Sequence, residues 1–508
     1  MKDNSHIISL DIGTMSMRAI LYTLDGHQVF QAGHEYEATF RPPGLVEQNP
    51  SDWRLGVLTV LSGVGSYVTE HSLDVSCITI TSQRASVIPV DASGFPLFPA
   101  VTWQDKRSAP QAEQLIADMG FDELYRITGL RPNPYFSLPK MMWFKQEEPD
   151  VYRHATKLLG VQDYVAFLLT GEFVTDWTQA ARTMLLDIST FSWDDSIFEA
   201  SGISRTKLPE LVAPGSAITG GLRRSMARPV NLPEGLPVVV AGGDQQCAAL
   251  ALNVLSSGHA EANTGTGSFV IAHADEPSLH PEHKVLCSAS AVPGKWINEA
   301  GIFNTGAVYR WFRGLLGGAN VTSYADMNDW ASTSPIGANG VVLLPHFEGS
   351  AAPNWNDMAK GVFFNLSIGT SKGDLCRAIL EGIALEVAEN VRIIERMTGP
   401  LQELTVAGGM ASSRLFNQIQ ADATGLKVFH YANPEASSLG ALMSALVSMG
   451  KARNFDEAYQ QVSGSVRIEI DPRPEAHRIY QTVLTRRHRL YESLDREGVY
   501  QEFSGALA

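Results

Sequence analysis

The sequence predicts two α/β domains facing one another across a cleft, and three observations carry the prediction. A chain of 508 residues exceeds what one hydrophobic core supports, so two domains are expected. Apolar strand-like runs alternate with amphipathic helical stretches along the chain, which is an α/β pattern. Each half also carries a strand, a short turn rich in glycine and hydroxyls, and a second strand. The first is Asp11-Ile12-Gly13-Thr14-Met15-Ser16, and the second is Asn263-Thr264-Gly265-Thr266-Gly267-Ser268. The pair says more than either turn alone.

Composition narrows the class. Hydrophobic residues at 44% and charged residues at 18% describe an ordinary globular protein. A net charge of -15 argues against nucleic-acid partners, whose phosphate backbone needs a basic surface. Cys77, Cys247, Cys287 and Cys376 are far apart and form no CxxC, so neither a zinc site nor a disulfide framework is indicated, and a cytoplasmic home is expected. No apolar run reaches the roughly 18 residues that span a bilayer, so no membrane association is expected.

In chain order, Ile7 to Ile12 and Met17 to Tyr22 read as strands of a hairpin, and Asp25-Gly26 as the next tight turn. In the first turn Gly13 clears the backbone, Thr14 and Ser16 add hydroxyls, Asp11 precedes and Arg18 follows. Such a set suits a polyphosphate with its magnesium ion, which asks for donors on the oxygens and a carboxylate for the hard cation. Trp53 to Val68 reads as a helix, and Val75 to Thr81 as a buried strand ending in Gln83 and Arg84. Ligands of open α/β sheets bind beyond strand ends, so both are candidates for holding a polar substrate; a surface arginine is the plainer alternative. Asn133 to Lys140 opens a helix over Met141 to Gln146, and Tyr135 beside it could stack on a hydroxylated ligand or simply pack a loop. Asp163 to Leu169 is a further helix.

Leu236 to Ala241 is a continuous apolar strand, released by Gly242-Gly243 into Asp244-Gln245-Gln246. An acid held there is fixed yet reachable, which suits a general base in phosphoryl transfer, although an N-cap would look the same. Neither glycine turn matches the P-loop or the dinucleotide fingerprint. Gly301 to Gly306 leads into a helix whose Tyr309, Trp311 and Phe312 are expected in the core, and Asp374 to Met397 is a long amphipathic helix. Val406-Ala407-Gly408-Gly409-Met410 is a strand and a glycine turn before the helix Arg414 to Thr424, a plausible seat for a flat ring. Small residues at Ala436, Ser437, Ser438 and Gly440 permit close helix packing, and Pro474 to Asp495 is a charged helix.

From about Ile7 to about Gly450 the chain resembles the FGGY family of carbohydrate kinases. The resemblance rests on Tyr135 through Glu147, including Lys140 and Trp143, on Asp163-Tyr164 through Glu172, on Ala181 through Asp187, on Gly361 through Gly382, and on the three glycine turns. It implies an actin/hexokinase-like, ribonuclease H-like fold with an interdomain catalytic cleft. The division expected is 1–248, 249–464, and a tail at 465–508 packing on the first domain. It also implies ATP with Mg²⁺, a small sugar, ketose or polyol as acceptor, and a possible homodimer. The implied roles are Asp244 as base, Asp11 and Asp244 for metal, and Gln83, Arg84, Tyr135, Asp244 and Gln245 for acceptor. Thr14, Ser16, Arg18, Gly265, Thr266, Gly267, Gly306 and Arg310 would hold phosphates or ribose, and Gly409, Met410 and Ser413 the adenosine. Gln83-Arg84 and Asp244-Gln245 are similar to the glycerol-kinase branch, but that branch places a glutamate where this chain has Ala85, so a larger polyol or a four- to six-carbon ketose is expected. Met15 replaces a small hydroxyl residue, and the Met-His pair of xylulose kinases is absent. A kinase of a small non-sugar signalling molecule and a nucleotide-driven binding protein are the alternatives.

Overall fold

A computed structural model describes residues 5–42, 44–431, 435–462 and 467–504; part of the tail expectation, at 465–466 and 505–508, lies outside them. The first domain is built on β1 (Ser5–Ile12), β2 (Ser16–Thr23), β3 (Gln28–Glu35), β4 (Asp74–Ser82), β5 (Ser216–Ala217) and β6 (Val238–Gly243), in the order β5-β6-β4-β1-β2-β3. β1, β4 and β6 are parallel neighbours, while β2 and β3 return antiparallel. Parallel strands need covering on both faces. On one face Ile8, Leu10 and Ile12 pack with Trp53, Val57 and Val60 of α1 (Pro50–Glu70) and Tyr164 of α2 (Val161–Thr170). β6 runs directly into α3 (Asp244–Ala251), which Gly243 caps, so Asp244 is the first helical residue and not the cap.

The second domain repeats the scheme with β7 (His259–Thr264), β8 (Ser268–Ala274), β9 (Leu286–Ala289), β10 (Trp296–Ile302), β11 (Glu403–Ala407), β12 (Lys427–Tyr431) and β13 (Arg467–Ile470), in the order β9-β10-β8-β7-β11-β12-β13. Stripped of edge additions, β3-β2-β1-β4-β6 and β10-β8-β7-β11-β12 share one pattern of three antiparallel and two parallel strands. That duplication is the actin/hexokinase-like fold expected. Helices α4 (Gly306–Leu315), α5 (Lys372–Thr398), α6 (Arg414–Thr424), α7 (Ala436–Ser448) and α8 (Pro474–Arg496) complete it.

Three expectations change. α7 follows β12 in sequence but covers the free face of the first sheet, where Leu439, Leu442 and Met443 meet Ile7, Ile20 and Val239. Ser9 and Thr79 donate to the carbonyls of Ser438 and Ala441, at 2.9 and 3.2 Å. A Cβ on Gly440 would lie 1.7 Å from the Cys247 carbonyl oxygen, so α7 crosses α3 at a point where only glycine fits. A linear division at 248 and 464 is thus crossed in space. The described part of the tail packs on the second domain instead: Tyr480 and Leu484 of α8 join the core beneath α5 and α6, and Arg487 pairs with Glu386 and Glu389 of α5. Trp311 is 43% exposed, whereas Tyr309 and Phe312 are buried as expected.

Candidate active site

The parallel strands β1, β4 and β6 end side by side, and their ends gather the charged candidates. Asp11 lies next to the end of β1, Gln83 and Arg84 directly follow β4, and Asp244 directly follows β6. Arg84 is only 4% exposed, which excludes the plain surface reading. Its Nε lies 3.5 Å from Asp244 Oδ1, and its Nη1 donates to Gln246 Oε1 at 3.2 Å and to Glu299 Oε2 at 2.9 Å. A Cβ on Gly243 would meet Arg84 Cδ at 2.6 Å, so the bare backbone lets the arginine pass. Gln83 closes the first turn from below, with Nε2 directed at Gln48 Oε1 (3.2 Å) and its backbone N–H on Ile12 O (2.8 Å).

Electrostatics mark this edge. Burial first, then Asp244 and Glu435, push the Asp11 carboxyl up to about 7, against the pull of Arg18. Asp244 is likewise raised by burial, and Arg84 opposes the shift. Carboxylates crowded in this way fit a divalent cation, which would relieve their mutual repulsion. Among the described residues no three His, Cys, Asp or Glu side chains form a complete cage, so an ion here would draw its other ligands from phosphate oxygens and water. Arg18 is not free: its Nη1 sits 2.7 Å from Glu435. Thr14 Oγ1 accepts from Trp103 Nε1 at 3.3 Å, and the Trp103 ring lies 5.5 Å from that of Tyr135.

The second edge is made of backbone. The turn Gly265-Thr266-Gly267 is closed by Gly265 N–H on Gly267 O at 2.8 Å and sits against the start of α4, where Gly306 and Ala307 donate to Gly265 O and Thr266 O. A Cβ on Gly267 would meet Ile302 O at 2.7 Å, one on Gly306 would meet Gly265 O at 2.3 Å, and one on Gly408 would meet Thr264 O at 2.5 Å. Arg310 Nη2 donates to Thr266 Oγ1 at 3.1 Å. Met410 lies 3.6 Å from the same Gly306 position, and Ser413 caps α6 through Phe416 N. The second-domain candidates therefore form one cluster around the turn.

Family models match both halves: the N-terminal domain of the FGGY family of carbohydrate kinases over residues 6–251, and its C-terminal domain over 260–449. The chain belongs to the FGGY family of carbohydrate kinases. As an FGGY kinase it is an ATP-dependent phosphotransferase whose acceptor is an alcohol group of a small sugar or polyol, and a nucleotide-driven binding role is not favoured. The chain is similar to a glycerol kinase of Thermococcus gammatolerans, with 31% identity over 91% of this chain and 92% of the relative. It is as similar to one of Streptococcus agalactiae, with 31% identity over 90% and 91%. Among solved structures, a gluconate kinase from Lactobacillus acidophilus superposes with TM-score 0.91 at 24% identity, covering 98% of this chain and 99% of the other. A xylulose kinase from Rhodospirillum rubrum does so with TM-score 0.90 at 26%, covering 97% and 99%.

Sequence reading missed several residues of this FGGY site. Lys140 is buried and donates to the carbonyls of Pro134, Tyr135 and Phe136 at 2.7, 2.6 and 3.0 Å, pinning the Tyr135 loop. Burial pulls its ammonium down to about 7, while three carbonyl acceptors favour the charged form with all its donors. Trp103 was readable as an aromatic after a short strand, and Lys140 and Arg182 lie inside stretches that carry the family resemblance without a role being assigned to them; Glu299 carried no local signal. Ala85 has φ of 64° and borders a cavity of about 20 Å³ with Ser86, Asp163 and Gln179, room for about one water. The Ser86 hydroxyl and Asp163 Oδ1 are both buried without a hydrogen-bond partner.

Proposed function

We propose that Asp244 takes the proton of the attacking acceptor hydroxyl as its oxygen bonds to the γ-phosphorus of ATP and the bond to the bridging oxygen breaks, releasing ADP. The observation carrying this is the Arg84–Asp244 approach of 3.5 Å at the ends of adjacent parallel strands. Arg84 favours the carboxylate form that a base must start from, against the burial that disfavours it. Gln83, Arg84, Tyr135 and Gln245 would hold the acceptor's other hydroxyls. Thr14, Ser16 and Arg18 would face the phosphates from the first domain. Gly265, Thr266, Gly267, Gly306 and Arg310 would meet phosphates and ribose through close backbone approach, with Gly409, Met410 and Ser413 beside the adenosine. Asp11 and Asp244 would hold Mg²⁺, which neutralises charge on the transferring phosphoryl group.

The acceptor we infer is larger than glycerol. Ala85 offers no carboxylate to a glycerol hydroxyl, and a site that lacks such an acceptor discriminates poorly in favour of that ligand. Cytoplasmic placement is supported by four free, buried thiols. ADP release with MgATP should be measured against glycerol, erythritol, tetroses, pentitols, ketopentoses, ketohexoses and gluconate. Strong stimulation by a four- to six-carbon acceptor is the expected outcome. Stimulation by glycerol alone would overturn the size argument, and acceptor-independent hydrolysis would overturn the assignment of Gln83 and Arg84 to an acceptor.

A further inference from the structure

Glu299 lies in β10 of the second domain, opposite Ile271 of β8 and Leu286 of β9, yet its carboxylate is spent on the first domain. Oε2 accepts from Arg84 Nη1 and Oε1 from Arg182 Nη2, each at 2.9 Å, and all three side chains are 2% exposed or less. Arg182 follows the short helix Trp177–Ala181 and lies over the rings of Tyr135 and Phe136, at 5.8 and 5.3 Å from their centroids. One carboxylate from across the domain boundary thus fixes both the guanidinium beside Asp244 and the guanidinium beside Tyr135.

The donor count shows what this arrangement leaves over. Arg84 Nη1 spends its two hydrogens on Glu299 and Gln246, so Nη2 is left for another acceptor. Arg182 has Nε and Nη1 buried with no hydrogen-bond partner. Buried donors without partners are costly, and an oxygen-rich ligand would satisfy them. Glu261 stands in the same row of the sheet, since it pairs with Ile271 and Ile271 pairs with Glu299. Both its oxygens lack hydrogen-bond partners, and burial, then the Glu299 charge nearby, push its carboxyl well up against the pull of Arg84. A buried ion cluster contributes little net stability compared with apolar packing, so stability alone is a weak reason for this one.

We propose that Glu299 is a positioning residue for the acceptor: it holds Arg84 and Arg182 against the reacting edge, so the acceptor site of the first domain is complete only with this side chain of the second. The proposal rests on the acceptor site proposed above. Glu299 touches neither substrate; it acts through the arginines.

The test is steady-state ADP release by Glu299→Gln and Glu299→Asp, using the acceptor that stimulates the wild type most. Acceptor stimulation in the wild type tests the kinase assignment by itself, so the two failures are distinguishable. Losing a charge-assisted pair should raise the acceptor KM of Glu299→Gln by roughly ten- to a hundredfold while the ATP KM moves less than about twofold. Glu299→Asp, which keeps the charge, should recover part of the acceptor KM. Should Glu299→Gln not fold, the aspartate variant decides alone by the same split. Acceptor and ATP KM rising together, or an acceptor KM equal to that of the wild type in a folded variant, would overturn the proposal.

Discussion

The two domains share one strand pattern and use its end in opposite ways. At the edge of the first, charged side chains are aimed at one another: buried Arg84 pairs with Asp244 and Glu299, and the charge of Asp244 acts on Asp11. At the edge of the second, side chains are removed: Gly267, Gly306 and Gly408 let carbonyls and N–H groups approach where a Cβ would collide. Side chains can change charge and hand on a proton, whereas bare backbone can only dock a ligand closely. On the roles proposed above, the duplication divides labour, with reaction and acceptor choice on the first edge and most of the nucleotide docking on the second.

The harshest way to break this comparison is Asp244→Asn. It keeps the shape and removes the proposed base, so kcat should fall about 10²- to 10⁴-fold while ATP affinity, measured by titration, stays within about threefold. Turnover near that of the wild type would take the reaction away from the first edge. Gly306→Ala is the matching change on the second edge. Its Cβ would overlap Gly265 O at 2.3 Å and push the turn out of place. The ATP KM should rise roughly tenfold or more, and the acceptor KM should not follow. A parallel rise in both would show that the edges are not separate. Arg84→Lys comes next in size: a point ammonium cannot serve Glu299, Gln246 and Asp244 at once, so acceptor kcat/KM should drop about tenfold, with little change in the ATP KM.

Legibility in the sequence follows the same division. Both turns could be read because their glycines and hydroxyls sit within a few residues of a strand end, and Asp11, Gln83 and Asp244 occupy the positions just before or after such ends. The duplicated fold followed from two such turns in one long chain. Glu299 could not be read, because within Trp296-Ile297-Asn298-Glu299-Ala300 it resembles any acid on an alternating strand. Its partner Arg84 lies 215 positions away. The placement of α7 on the first sheet was hidden for a related reason: an apolar helix face is equally suited to either sheet, and only the Gly440–Cys247 crossing picks one. The tail was expected on the first domain because nothing local in Pro474 to Asp495 tells which domain its buried face meets; Arg487 is spent in a buried cluster with Glu386 and Glu389 of the second.

That buried cluster offers the mildest probe, because it lies outside both edges and should change stability without touching catalysis. His346 Nε2 lies 2.6 Å from Glu386 Oε1, and burial, followed by the nearby Arg487, drags the imidazole from 6.5 to about 3. The unfolded chain therefore takes up a proton below about 6.5 that the folded chain refuses until about 3. Fewer protons bound in the folded state means that this group's contribution is lost as pH falls through that window and is fully present above it. His346→Gln should consequently flatten the decline of Tm between pH 6.5 and pH 4, as followed by thermal melts, while kcat and both KM values at neutral pH remain those of the wild type. An unchanged slope would mean that the imidazole already carries its proton in the fold, paired with Glu386. A shift in the acceptor KM would mean that the second domain's far side communicates with the acid-lined edge, and the division of labour would then extend beyond the two strand ends.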